Sequence, residues 1–144
     1  MRIAFATVIF LAAGSATAQS STPAGLWKTV NEKGEPEALV RIVDAAGEMR
    51  GTVEKVYSPP APNANPLCLD CSGSLKDRPV IGLQILSGLR WDGEQYSGGE
   101  ILDPNNGRSY RCLMRMLEGG RKLEVRGYIG ISLLGRTQVW LRGD

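Results

Sequence analysis

Along most of this chain, apolar and polar residues alternate in short runs, and clusters of Gly, Pro and Asn end each run before a helix could complete itself. A period of two puts every second side chain on one face, so these runs make half-buried strands, and tight turns between them make antiparallel neighbours. Gly25 to Val30 reads as a first strand ended by the turn Asn31-Glu32-Lys33-Gly34-Glu35-Pro36, and residues 38–43 as its partner. Residues 47–57 place Met49, Gly51 and Val53 on one face and Arg50, Thr52 and Glu54 on the other. Residues 95–102 form a strand that Gly98 and Gly99 bend or bulge. Asp103-Pro104-Asn105-Asn106-Gly107 is a turn, because Pro fixes φ and Asn-Gly accepts positive φ.

Two later segments make the clearest hairpin. Residues 108–117 carry Tyr110, Cys112, Met114 and Met116 on one face, Glu118-Gly119-Gly120 turns the chain, and residues 122–128 alternate Leu123 and Val125 with charged neighbours. Residues 135–142 close the series with Arg136, Gln138, Trp140 and Arg142 on one side. Residues 80–86 are mostly apolar and fit either a buried strand or a short helical turn. Seven or eight strands without a helix predict an all-β domain, a small antiparallel barrel or else a sandwich, and closure into a barrel removes exposed edges.

One stretch breaks the pattern. Between residues 58 and 79 the prolines Pro59, Pro60, Pro62 and Pro66 lack ladder donors, so this segment is a long loop, and it carries Cys68 and Cys71. Upstream, Arg2, the apolar run from Ile3 to Ala13 and Ala16-Thr17-Ala18 read as a secretory signal cleaved after Ala18. Residues 1–18 are thus expected to be a signal peptide and residues 19–144 a single domain exported to the periplasm. The apolar run is shorter than the ~20 residues of a membrane span, and no second run follows.

Charge and composition narrow the chemistry. The formal net charge is only +2, which gives no field for a nucleic acid. The chain has no histidine, which removes the usual general base and the commonest metal ligand. Three cysteines with Asp70 would make a poor zinc site. Asp103, Asn105 and Gly107 resemble part of a calcium loop whose other ligands are missing, and the turn reading covers the same residues. No cofactor, metal or catalytic group is therefore expected.

Three candidate sites remain. Cys68 and Cys71 form a C-x-x-C pair, either a structural disulfide in an oxidising compartment or a redox centre. Cys112 lies on an apolar face as a buried thiol, or pairs with one of the other two. Arg126, Tyr128, Arg136, Gln138 and Trp140 gather polar and aromatic groups on two late strands, suited to a carboxylate, phosphate or sugar ligand, or else forming a solvated face.

Gly25-Leu26-Trp27-Lys28, Cys68-Leu69-Asp70-Cys71, the segment Gly99 to Pro104, and Arg126-Gly127-Tyr128-Ile129-Gly130 running into Gly135 to Trp140 resemble the bacterial domain-of-unknown-function family 2147. That resemblance implies a small exported protein and brings no catalytic residues with it. Gly25 and Trp27 also resemble the opening strand of lipocalin-like barrels, in which an arginine of the closing strand lies across the tryptophan. Arg136 or Arg142 would fill that place. The expectation is a non-catalytic periplasmic barrel that binds a small molecule or an envelope component. The alternatives are a redox protein acting through Cys68 and Cys71, or a structural envelope factor without a ligand.

Overall fold

The computed structural model describes residues 22–57, 61 and 64–143. The signal sequence and cleavage point, and Pro59, Pro60 and Pro62 of the loop, lie outside these residues. Eight strands follow one another: β1 (Gly25–Val30), β2 (Pro36–Ala45), β3 (Glu48–Val56), β4 (Gln84–Trp91), β5 (Tyr96–Asp103), β6 (Arg108–Leu117), β7 (Lys122–Tyr128) and β8 (Gly135–Arg142). Each pairs antiparallel with the next, and β8 returns to β1 through Trp27↔Arg142 and Lys28↔Leu141. The result is a closed barrel, not a sandwich.

The alternation read from the sequence sets which side chains point inward. Met49, Gly51 and Val53 of β3, Cys112 and Met114 of β6, and Leu123 and Val125 of β7 are buried. Outward-facing charges pair across neighbouring strands, as in Arg41 with Glu54 and Arg115 with Glu124 at 2.7 Å. These exposed pairs order the surface more than they stabilise it.

The fourth strand departs from expectation. The apolar run at residues 80–86 is a strand only in its last part: Val80 to Leu83 turn into the barrel, and β4 runs from Gln84 to Trp91. Gly88, at φ +73°, bulges this strand, so Leu86 and Leu89 are both fully buried at a spacing of three rather than two. An alternating template misses such a strand.

Even-numbered and odd-numbered connections lie at opposite ends of an up-and-down barrel. The turns β2–β3, β4–β5 and β6–β7 share one end with the N-terminal segment, and the connections β1–β2, β3–β4, β5–β6 and β7–β8 share the other. The first end is closed. Trp27 is completely buried there and its indole Nε1 donates to the Pro23 carbonyl at 2.7 Å. The Arg142 guanidinium lies 4.0 Å from the centre of the Trp27 ring. It also donates to the carbonyls of Gly120 at 3.1 Å and Ala24 at 2.9 Å, tying the β6–β7 turn to the incoming chain. Of the two candidate arginines it is Arg142 that covers the tryptophan; Arg136 sits at the other end of β8. Position along the strand decides this, since Arg142 is the residue paired with Trp27.

Candidate functional site

The barrel interior divides into a packed half and an open half. Ile42, Met49, Leu86, Leu89, Met114 and Leu123 fill the space above Trp27, all of them nearly or fully buried. Toward the other end the side chains stop short of one another and leave a cavity of about 1170 Å³. Its deeper wall is apolar, made by Val40, Val53, Ile85, Leu102, Val125 and Trp140. The size lies just above the usual range of small-molecule sites, which run from ~300 to ~1,000 Å³ and are likewise mostly apolar with few polar groups.

Small residues help to keep this space open. Gly127 lies on the wall, where a Cβ would approach Ile101 and Tyr110. Polar groups collect at the mouth. Gln138 Oε1 accepts a hydrogen bond from Trp140 Nε1 at 3.0 Å, which fixes the carboxamide and leaves its NH2 as the donor for anything inside. Tyr110 OH accepts from Asn106 Nδ2 at 2.9 Å. Glu35, Glu37 and Asp103 line the same mouth as Arg136, so carboxylates outnumber the guanidinium. Arg136 is 79% exposed on its side chain and reaches Glu32 only at 4.0 Å.

Four of the five residues singled out on the late strands line this cavity: Tyr128, Arg136, Gln138 and Trp140. Arg126 does not. It faces outward, donating through Nε to the Ser132 carbonyl and through Nη1 to the Thr137 hydroxyl, both at 2.7 Å. The alternation that puts Val125 and Gly127 inside puts Arg126 outside. Sequence reading missed the opposite wall, Val40, Val53 and Ile85, because apolar residues lining a void and apolar residues packed in a core carry the same pattern.

The cysteine loop covers part of the mouth. Cys68 and Cys71 form a disulfide, and Pro66, Leu67 and Val80 of the same connection line the cavity. The loop packs on the β5–β6 turn, where a Cβ on Gly107, at φ +71°, would run into the backbone of Asp70 and lie 2.6 Å from Cys71 N. Asp103 Oδ1 accepts from Asn105 N at 2.9 Å, so these residues build the turn. Cys68 and Cys71 are 0% and 3% exposed, which leaves little room for an attacking thiolate on either sulfur.

Cys112 is the free cysteine, and burial pushes its thiol up to about 12. The folded protein therefore holds its proton where an unfolded thiol, with an ordinary value of 9.0, has lost it. Stability from this group is complete below pH 9 and is lost as pH rises toward 12, by up to about 1.4 kcal/mol per pH unit. Urea unfolding of wild type and Cys112→Ala across this range is expected to show the steeper loss in wild type. Parallel curves would contradict the burial.

No curated protein matches the chain. Among solved structures, it is similar to protein HP1028 from the human pathogen Helicobacter pylori, described as belonging to the lipocalin family. The TM-score is 0.74 at 18% sequence identity, over 87% of this chain and 85% of that one, a likeness of fold. The family model described as "Uncharacterized protein conserved in bacteria (DUF2147)" matches residues 25–142, the whole of the barrel, and the chain belongs to that family.

Proposed function

We propose that this protein is a non-catalytic carrier in the bacterial periplasm that holds one small molecule in the open half of its barrel. The observation that supports this reading is the cavity of about 1170 Å³, apolar within and polar at its mouth, over a floor sealed by Trp27 and Arg142. Such a space suits a molecule with an apolar body and one polar end. The majority of carboxylates around Arg136 favours a neutral or cationic polar end over the carboxylate, phosphate or sugar first considered. Export rests on Arg2, the apolar run and Ala16-Thr17-Ala18.

The test is native mass spectrometry of protein recovered from the periplasmic fraction of a bacterium, combined with N-terminal sequencing. The expected result is a chain starting at Gln19 that carries a bound species of fixed mass, released on unfolding. Protein retained in the cytoplasm with Met1 intact, or one that never carries or takes up any small molecule, would contradict the proposal.

A further inference from the structure

Among the described residues, every exposed large apolar side chain outside the strands sits on one of two connections at the open end of the barrel. Leu67, Leu69, Leu75 and Ile81 belong to the β3–β4 loop. The more prominent group is the β7–β8 hairpin tip, where Ile129 is 64%, Ile131 59%, Leu133 83% and Leu134 74% exposed. Four such side chains within six residues are a large apolar exposure for a polar-surfaced barrel. The loop's backbone is held within itself: Leu134 N donates to the Ile131 carbonyl, and Arg126 ties down the carbonyl of Ser132. Apolar side chains are thus offered on a backbone with part of its polar groups already paired.

The hairpin is also layered. Behind the apolar tip comes Tyr128, paired with Gly135, and behind it come two guanidiniums in adjacent register positions, Arg126 opposite Thr137 and Arg136 opposite Gly127. At ~3.3 Å per residue, Arg126 lies roughly 10 Å along the strand from Ile129. An interfacial element buries its apolar face about 5–10 Å below the headgroups, with aromatic and basic residues at headgroup level. The carboxylates of the mouth, Glu35, Glu37 and Asp103, stand on the β1–β2 connection, β2 and β5, so on the hairpin itself the charged groups nearest the tip are basic. A protruding tip suits a fluid phase that moulds itself around it better than a preformed protein groove.

We infer that the β7–β8 hairpin docks the barrel, open end first, on the surface of a bilayer containing anionic lipid, with Ile129, Ile131, Leu133 and Leu134 entering the headgroup boundary and the outward-facing Arg126, away from the carboxylates of the mouth, meeting lipid phosphates. Ile129 and Leu134 also line the cavity, so docking joins the apolar interior to the lipid. This goes beyond the carrier reading, and the two fail separately.

The experiment is sedimentation with large unilamellar vesicles of phosphatidylethanolamine and phosphatidylglycerol, using the chain from Gln19 onward, which contains every barrel strand. Wild type is expected to bind. The double variant Ile131→Asp, Leu133→Asp, at two tip residues outside the cavity lining, should bind at least roughly tenfold more weakly, since removing even one buried aliphatic side chain is worth about that factor. Arg126→Gln should bind these vesicles several-fold more weakly and with a shallower dependence on salt, while Trp91→Ala, at the closed end, should bind as wild type does. Circular dichroism and uptake of a neutral apolar dye confirm that each variant keeps its barrel and cavity. Absence of wild-type binding with dye uptake intact would overturn docking and leave the carrier reading standing. Equal binding by the Ile131, Leu133 variant would also overturn it, as would a wild-type dimer in solution that the same substitutions dissociate.

Discussion

Trp27→Ala is expected to lower the melting temperature by roughly 10–20 °C, the largest effect of any single truncation in this chain. Trp27 is wholly buried at the sealed end, its Nε1 has a carbonyl partner, and its ring carries Arg142 at 4.0 Å. Removing such a side chain costs about 3–5 kcal/mol through lost burial and the void left behind, against a total stability of ~5–15 kcal/mol for a domain. Arg142→Ala should be costly as well, because the guanidinium also joins the Gly120 and Ala24 carbonyls. A double-mutant cycle with Trp27→Leu separates these contributions. The cation–π contact should appear as a coupling of about 1 kcal/mol or more, measured by urea unfolding. The same cycle with Arg136→Ala should be additive. Coupling to Arg136 and none to Arg142 would reverse the assignment made here.

The second large effect is expected at Gly99. A Cβ there would overlap the Ser87 carbonyl and lie 2.5 Å from Leu89 Cγ and 2.8 Å from Leu89 N on the neighbouring strand. Two of these three atoms belong to the backbone of β4, and Leu89 is fully buried, so nothing nearby yields without parting the strands. Gly99→Ala should cost about 3 kcal/mol by overpacking. Gly127→Ala is the internal control. Its Cβ would meet Ile101 at 3.4 Å and Tyr110 at 3.5 Å, ordinary contacts beside an open cavity, and the change should cost less than ~1 kcal/mol. Equal losses in the two variants would mean that the close approach of β4 and β5 does not hold in solution.

Gly98 and Gly99 also show how much of the barrel was legible beforehand. Two glycines inside an alternating run mark a bulge, and the β5–β6 register shifts between Tyr96 and Gly99. The strands β1, β6, β7 and β8 were readable to the residue, because alternation and turn chemistry agree there. Strand β4 was not, since its bulge at Gly88 replaces a period of two by the spacing of Leu86 and Leu89. The choice between Arg136 and Arg142 was equally hidden, because both share one face of β8 and only strand register says which reaches Trp27. The cavity itself leaves no local trace. Val40 and Ile42 are neighbours on one face of β2, yet Ile42 packs in the filled half and Val40 lines the open one. Only the tilt and closure of all eight strands separates them. By contrast, the Cys68–Cys71 pairing was one of the alternatives that the C-x-x-C spacing offered, and the burial of Cys112 follows from its place on one face with Tyr110 and Met114.

The central claim, that the open half of the barrel holds an apolar molecule, is tested most directly by fluorescence titration with N-phenyl-1-naphthylamine, a neutral dye that brightens in apolar surroundings. Wild type should bind one dye per chain with energy transfer from Trp140, which lines the cavity. Ala38→Trp places a large ring on the same wall and should weaken uptake several-fold while keeping a cooperative unfolding transition. Equal dye binding by wild type and Ala38→Trp, or none by a folded wild type, would contradict the account.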